Sequence, residues 1–285
     1  MSSSFVLKLS CADRPGIINS VTGVLLDMGA NVTDAQQFND PSTGRFFMRV
    51  FMTTPNVATE ADIERALAPL AAKFDAEISV RDQSVPKKVV IMVSHLDHCL
   101  GDLLYRMRIG EMSMDVVAII SNHPMSKLKV SMIGDIPYHH LPITAETKPQ
   151  QEAQVKQIIT DSGAELVVLA RYMQILSDDL SRFLEGRCVN IHHSSLPGFK
   201  GAKPYHQAFD RGVKLIGATA HLVTSDLDEG PIIEQDIEHI SHADMPDELV
   251  RKGRDIERRV LARAVAYLLQ DRVFLNGSKT VIFKD

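Results

Sequence analysis

Side chains that could polarise a carbonyl group are concentrated between residues 188 and 236 of the chain. Asn190 and His192 lie at the end of the apolar run CVNIH, and Asp228 follows in the segment DLDEG, residues 226–230. Because side chains alternate along a strand, Asn190 and His192 are predicted to point to the same side. An amide and an imidazole placed together can both donate to one developing oxyanion, and a nearby carboxylate can orient the imidazole or accept a proton from water. The pattern predicts a catalytic set of Asn190, His192 and Asp228.

Other imidazoles lie close to this set in the sequence. In the structural alternative, Asn190 caps a loop and His192 packs in the core, but the polar loops that follow disfavour it. His221 ends the strand that leads to Asp228, and it could either line the site or hold a loop. His193 is predicted by alternation to point away from the site and to have a structural role.

Three further segments are weaker candidates for a site. The glycines of 198–201 have neither the dinucleotide-binding nor the Walker spacing, so a tight turn is favoured over a phosphate loop. Residues 94–100 contain two imidazoles, a carboxylate and a thiol, but no paired ligand spacing follows. A loop that opens a helix is therefore favoured there over a metal site. His206 is expected at the start of a helix, where it would support the site rather than act in it.

Composition excludes several classes of protein. The 285 residues carry a net charge of −5 with no basic block, which argues against nucleic acid as a partner. The N-terminal residues lack a signal-peptide pattern, and no apolar run is long enough to cross a membrane. Cys11, Cys99 and Cys188 are too widely spaced for a disulfide framework. A cytoplasmic protein without a membrane or nucleic-acid partner is expected.

Hydrophobic patterning divides the chain into two domains. The first, residues 1–82, has strands and helices in the order βαββαβ, which is a ferredoxin-like arrangement. Its predicted elements are strands at 5–10, 31–38, 46–52 and 77–81 and helices at 17–28 and 60–74. The polar residues 83–87 are predicted to form a linker.

The second domain is predicted over residues 88–285. Continuous apolar runs alternate with helical patterns, which is typical of parallel strands buried on both faces. The clearest runs are 89–93, 116–120 and 166–170, and a long helix is predicted over 246–270. Asn276 and Gly277 indicate a tight turn between two short final strands. The fold class is therefore α/β, with a doubly wound, mostly parallel, Rossmann-like second domain.

Several motifs resemble those of known families. Residues 88–275 resemble folate-dependent formyltransferases, and residues 1–82 resemble an ACT domain. The motifs behind the first resemblance are LARYMQIL at 169–176, NIHHSSLP at 190–197, GA at 201–202 and DLDEGPII at 226–233. The motif behind the second is DRPGI at 13–17, before a helix that ends at GAN, 29–31. An ACT domain ahead of a formyltransferase-like domain is similar to the formyltetrahydrofolate deformylase family, as is GAKPYHQA at 201–208.

The resemblance implies a hydrolase acting on an amide-type C–N bond, which splits 10-formyltetrahydrofolate into formate and tetrahydrofolate. Asn190 and His192 are expected to donate to the formyl oxygen, while Asp228 holds His192 and positions or activates water. The expected substrate-binding residues are Arg171, Tyr172, Met173, Ile175, Leu176, His221, Asp226 and Gly230. The folate is the substrate, and no metal or other cofactor is implied. The ACT half implies an amino-acid effector and a homo-oligomer, either a dimer or a tetramer.

Two residues depart from the family pattern. Ser195 stands where many relatives have a bulky apolar residue, and His193 stands where many have proline. Two alternatives to hydrolysis also stay open. A formyltransferase that passes the formyl group to an amine would use the same three catalytic residues, and a regulatory binding protein would carry an inactive site. The ACT half favours hydrolysis, but the catalytic set itself does not distinguish water from an amine as the acceptor.

Overall fold

The computed structural model describes residues 3–54, 58–194, 196 and 204–284. The chain divides into two compact units, of which the first comprises Met1–Pro86 with Gln270–Asp285 and the second comprises Lys87–Leu269. The last sixteen residues, 270–285, are predicted from sequence to belong to the second domain, and the structure assigns them to the first unit. Within the described ranges, none of the helices has both the length and the apolar character needed to span a membrane.

The first unit begins with the βαββαβ order that the sequence predicts. Its elements are β1 Ser3–Ala12, α1 Ile17–Asp27, β2 Asn31–Asp40, β3 Arg45–Thr54, α2 Glu60–Phe74 and β4 Glu77–Asp82. The four strands form an antiparallel sheet in the order β2-β3-β1-β4. The two helices bury residues at helical spacing, including Ile17, Val21 and Leu25 of α1, against one face of this sheet. The ferredoxin-like arrangement is thus confirmed.

The second unit is built around a seven-stranded sheet. Its elements are β5 Lys87–Val93, α3 His98–Arg108, β6 Met114–Ser121, β7 Tyr138–His140, α4 Lys148–Ser162, β8 Leu166–Leu169, α5 Asp178–Phe183, β9 Cys188–His192, α6 Pro204–Asp210, β10 Leu215–Leu222, β11 Ile232–His239 and α7 Pro246–Leu269. The strand order is β11-β10-β9-β8-β5-β6-β7. Strands β5 to β9 pair in parallel. Strands β10 and β11 extend the sheet beyond β9 with antiparallel pairing. The mostly parallel, doubly wound sheet is therefore confirmed.

The parallel strands determine where a site can form. Strands β5, β8 and β9 are neighbours, and their buried apolar residues form the centre of the sheet. Because parallel strands end at the same edge, the loops that follow these three strands meet there. Those loops begin at Ser94, Ala170 and His193.

The C-terminal hairpin explains why residues 270–285 group with the first unit. Strands β12 Val273–Asn276 and β13 Lys279–Ile282 lie in the first unit, as the last two strands. On β3, alternation places Phe47 on the sheet face opposite the one that α1 and α2 cover. The Phe274 ring packs edge-on against Phe47 at 5.7 Å, and Asn276 Nδ2 donates to Asp40 Oδ2 at 2.7 Å. The hairpin thus covers apolar surface that the four-stranded sheet would otherwise expose.

Candidate active site

Two neighbouring strands bring the predicted amide and imidazoles together. Asn190 and His192 lie on β9, and both line a cavity of about 540 Å³ in the second unit. In the antiparallel register of β9 and β10, His221 lies directly opposite Asn190. Side chains of cross-strand pairs are within contact distance. Accordingly, Asn190 Nδ2 lies 3.2 Å from His221 Nε2.

The hydrogen bonds of His221 fix the orientation of the Asn190 amide. His221 Nδ1 lies 2.9 Å from the carbonyl oxygen of Leu222. Since a carbonyl can only accept, Nδ1 carries the proton, and Nε2 of the neutral ring accepts from Asn190 Nδ2. The second N–H of the amide is then left for another acceptor. His221 lines the cavity, which is one of the two roles that the sequence left open, and it also contacts Asn190 of the neighbouring strand.

Asp228 completes the group from the loop between β10 and β11. Its Oδ2 lies 3.3 Å from His192 Nδ1, and its Oδ1 lies 3.6 Å from His221 Nε2. The hydrogen bond from His192 is the main cause that holds the pKa of Asp228 well below its usual range, so the carboxylate stays ionised. Asp228 has φ 58°, a left-handed conformation that non-glycine residues rarely adopt. Such strain is common at functional sites.

The other nitrogen of His192 is the reactive candidate. His192 Nε2 is buried and has no hydrogen-bond partner among the residues that the structure describes. Buried polar groups are normally paired, and exceptions often mark catalytic positions. With Nδ1 directed at Asp228, Nε2 is the atom that can meet a substrate oxygen.

The segment after β8 forms a largely apolar wall of the cavity. The predicted contact residues in this segment all line the cavity, namely Arg171, Tyr172, Met173, Ile175 and Leu176, while Asp226 lines it from the loop between β10 and β11. The wall is anchored at two points, since Ser94 Oγ accepts from the backbone N–H of Met173 and Gln151 Nε2 donates to the Tyr172 hydroxyl. The Met173 and Ile175 side chains are exposed at the rim. An apolar rim of this kind suits a flat aromatic ligand.

Gly230 is the predicted contact residue that does not line the cavity. Its role is instead close packing of the backbone. A Cβ atom at this position would lie 1.7 Å from the Leu222 carbonyl oxygen. Glycine therefore lets the loop that carries Asp228 approach the end of β10, next to His221.

The prediction that His193 points away from the site is wrong. Strand β9 ends at His192, so strand alternation does not extend to the next residue. The His193 ring stacks on the His192 ring, with centroids 5.0 Å apart and planes 18° apart, and it lines the cavity. His193 Nδ1 lies 2.5 Å from Nη1 of Arg171, whose backbone φ of 65° is also left-handed.

Glu257 of α7 is a site residue that the sequence reasoning missed. Its buried carboxylate accepts from the Tyr205 hydroxyl at 2.7 Å, lies 2.7 Å from His98 Nε2 and pairs with Arg171 Nε at 3.4 Å. Burial opposes ionisation, but the hydrogen bond from His98 and the charge of Arg171 together lower the pKa of Glu257. The sequence does contain one sign of this buried carboxylate, because Glu257 lies next to Ile256 in the apolar stripe of α7. Acidic side chains are almost never fully buried unless they are paired.

The segment 94–100 opens a helix, as predicted, because α3 begins at His98. The structure adds a neighbour from α7, since the ligand atoms of His98, Cys99 and Glu257 lie within 4.8 Å of one another. Burial raises the pKa of the Cys99 thiol, and the Glu257 carboxylate already has hydrogen-bonding and ionic partners. A structural hydrogen-bond cluster therefore accounts for this group better than a metal site.

The remaining sequence predictions concern α6 and the segment before it. His206 lies in the first turn of α6 and lines the cavity. Ser195 and the proposed tight turn at 198–201 lie outside the described residues. Nearby, Thr219 Oγ1 donates to the Ser194 carbonyl and accepts from the Leu196 N–H, which ties the chain after His193 to β10.

The comparisons with known proteins agree with this architecture. Residues 87–265 match the formyl transferase family, and residues 5–70 match the ACT domain family. Two groups of relatives extend the match. The formyltetrahydrofolate deformylase of Corynebacterium sp. (strain P-1) is 47% identical, and the match covers 98% of this chain and 98% of that protein. The formyltetrahydrofolate deformylase of Bacillus subtilis (strain 168) is 42% identical, and the match covers 97% of this chain and 93% of that protein.

Solved structures show the same relationship. The formyltetrahydrofolate deformylase from Burkholderia mallei is 50% identical, with a TM-score of 0.93 over 99% of this chain and 100% of that one. Glycinamide ribonucleotide transformylase 1 from Symbiobacterium toebii is 27% identical, with a TM-score of 0.66 over 71% of this chain and 97% of its own. The transformylase match thus covers less of the chain than the full-length deformylase match. The chain therefore belongs to the formyltetrahydrofolate deformylase family, in which a formyl transferase domain follows an ACT domain.

Proposed function

We propose that this chain hydrolyses 10-formyltetrahydrofolate to formate and tetrahydrofolate. The observation that carries the proposal is the group of adjacent Asn190, His192 and Asp228 side chains beside an apolar-walled cavity. It is supported by relatives named formyltetrahydrofolate deformylase that match the whole length of the chain. The alternative of an inactive regulatory protein has less support, because all three groups are present and adjacent.

In the proposed reaction, water adds to the formyl carbon. The oxygen of the tetrahedral intermediate accepts hydrogen bonds from Asn190 Nδ2 and His192 Nε2. A ring that donates from Nε2 while Nδ1 donates to Asp228 is an imidazolium, and the ionised Asp228 stabilises that charge. Asp228 also positions the attacking water. The water gives up one proton as it adds, and a proton is delivered to the folate nitrogen as the C–N bond breaks. The water oxygen remains in the formic acid, which releases its acidic proton to solvent as formate.

The same proposal assigns the folate to the apolar wall. Tyr172, Met173, Ile175 and Leu176 would contact the pterin, and Asp226 would contact it from the opposite loop. No metal or other cofactor is proposed, because the formyl group is already attached to a nitrogen that can leave and the two donors polarise its carbonyl. Arg171 is proposed to bind folate through its backbone, since its guanidinium is directed at His193 and Glu257.

Formyl transfer to an amine is the second candidate. Its support is the structural match of the second unit to glycinamide ribonucleotide transformylase. The two functions are separated by incubating the protein with 10-formyltetrahydrofolate in ¹⁸O-labelled water without any amine. Hydrolysis predicts one formate per tetrahydrofolate, with one labelled oxygen in each formate. No formate release under these conditions would overturn the hydrolase proposal.

We propose further that the ACT unit binds an amino acid that controls the rate, with methionine and glycine as candidates. The match of residues 5–70 to the ACT domain family supports this role. A homo-oligomer, either a dimer or a tetramer, and a cytoplasmic location are proposed with it. Formate release and the melting temperature, measured with and without each amino acid, test the effector. If neither quantity changes with either amino acid, this proposal fails.

A further inference from the structure

We propose that Glu257 is a positioning residue for the reacting imidazole, because it holds Arg171, which holds His193 flat against His192. This inference rests on the proposed function, since it concerns the orientation of His192 during hydrolysis. The connection runs from Glu257 Oε2 to Arg171 Nε at 3.4 Å, and from Arg171 Nη1 to His193 Nδ1 at 2.5 Å. The stacked rings of His193 and His192 complete it.

The Glu257 end of this connection is rigid. The Glu257 carboxylate is buried, and breaking a buried ion pair leaves an uncompensated charge. His98 of α3 and Tyr205 of α6 hold one carboxylate oxygen each, so two elements besides α7 fix its position. Arg171 is buried as well; its Nε makes no hydrogen bond to a described residue, so Glu257 holds it as an ion pair, while Nη1 donates to His193.

The backbone of Arg171 indicates that its side chain is required. Its φ of 65° is a conformation that glycine adopts freely and that costs other residues strain. Such strain persists only where the surrounding structure over-determines it. The paired guanidinium is the feature that glycine could not supply at this position.

The Arg171 guanidinium also determines which nitrogen of the His193 ring carries the proton. Arginine has only donors, so His193 Nδ1 must be an unprotonated acceptor, and its ring is neutral with the proton on Nε2. A neutral ring can stack on the imidazolium proposed for His192 without charge repulsion. His192 is thus held by Asp228 at its edge and by His193 on its face. These two constraints together fix the direction of Nε2.

A double-mutant cycle in the full-length protein tests whether Glu257 acts through Arg171. Glu257→Gln and Arg171→Gly are each expected to lower kcat for formate release on the order of ten- to a hundredfold, with little change in KM, because small misplacements of a reacting group are costly. Arg171→Gly removes the side chain and suits the left-handed backbone. The double variant should be no slower than the slower single variant. Arg182→Gly, at an exposed arginine, is the control.

The outcomes separate the two proposals. Multiplying losses in the double variant, or single variants with wild-type kcat, would overturn the positioning role even when the wild type releases formate. If Arg171→Gly fails to fold, Arg171→Lys replaces it in the cycle, since lysine keeps the charge but lacks the planar fork. Histidine NMR supplies a readout without turnover. Arg171→Gly should shift the His192 ring resonances and leave those of His139 unchanged, whereas unshifted His192 resonances would refute the proposal whatever the activity.

Discussion

Gly253 of α7 is the position where the structure and helix propensity predict opposite effects of one substitution. It faces the ring of Tyr205, whose hydroxyl donates to Glu257. A Cβ at position 253 would lie 2.1 Å from Tyr205 Cζ and 2.2 Å from its hydroxyl oxygen. Such distances are far inside van der Waals contact, so in Gly253→Ala the ring must move away and its hydrogen bond is lost.

The magnitude follows from three opposing contributions. Alanine in a helix interior is favoured over glycine by about 1 kcal/mol. Overpacking a buried site costs about 1–3 kcal/mol, and losing a hydrogen bond to a charged group costs about 1.5–3 kcal/mol. Gly253→Ala is therefore expected to lower the free energy of unfolding by roughly 1.5–5 kcal/mol, although propensity alone predicts an increase.

The Tyr205→Ala background tests this reasoning by removing the ring. There the alanine Cβ has space, so Gly253→Ala should leave the free energy of unfolding unchanged or raise it by up to about 1 kcal/mol. Urea unfolding followed by circular dichroism measures all four proteins of the cycle. Equal destabilisation by Gly253→Ala in both backgrounds, or stabilisation in the wild type, would refute the argument.

Three further predictions concern the site loop, the site charge and the first unit. Gly230→Ala should lower kcat by about a hundredfold, since its Cβ would meet the Leu222 carbonyl at 1.7 Å; Gly23→Ala, with open space around it, serves as control, and equal activity of both variants would count against the packing argument. The folded-state pKa of Asp228 is depressed, so its ionised form stabilises the protein above the unfolded pKa of about 3.9, and this contribution is lost as pH falls through the folded value. The difference in urea stability between wild type and Asp228→Asn should therefore be constant near neutral pH and shrink in acid; a difference that grows in acid would contradict the sign. Phe274→Ala should destabilise the first unit by about 3–5 kcal/mol in thermal unfolding. Leu275→Ala is the control and should have little effect, because this leucine is 48% exposed. Similar costs for the two variants would refute the role of the hairpin in covering the sheet.

Local pattern predicted much of the fold and part of the site. The βαββαβ order and the mostly parallel sheet follow from strand and helix periodicity, which is a local property of the chain. The placement of Asn190 and His192 in one cavity follows from alternation on a single strand. Asp228 was found because its loop carries several polar residues after an apolar strand.

The parts that sequence reasoning missed depend on contacts between distant segments. Glu257 meets Arg171 across 86 positions of sequence, and nothing local to either residue indicates the pair. His193 was misplaced because alternation ends where the strand ends, and that end is not visible in the pattern. The structure groups the hairpin around Phe274 with the first unit and the sequence pattern groups it with the second, because proximity along the chain to α7 does not indicate which sheet an apolar residue covers.

The direct test of the central claim is formate release by Asn190→Ala under saturating 10-formyltetrahydrofolate, compared with wild type and with the exposed control Asn19→Ala. The amide held by His221 is proposed to donate to the oxyanion, and removing one such donor typically lowers kcat by about a hundred- to a thousandfold. We predict a loss of that size for Asn190→Ala with the melting temperature little changed, and none for Asn19→Ala. A wild-type kcat in Asn190→Ala would contradict the assignment of this site to the reaction.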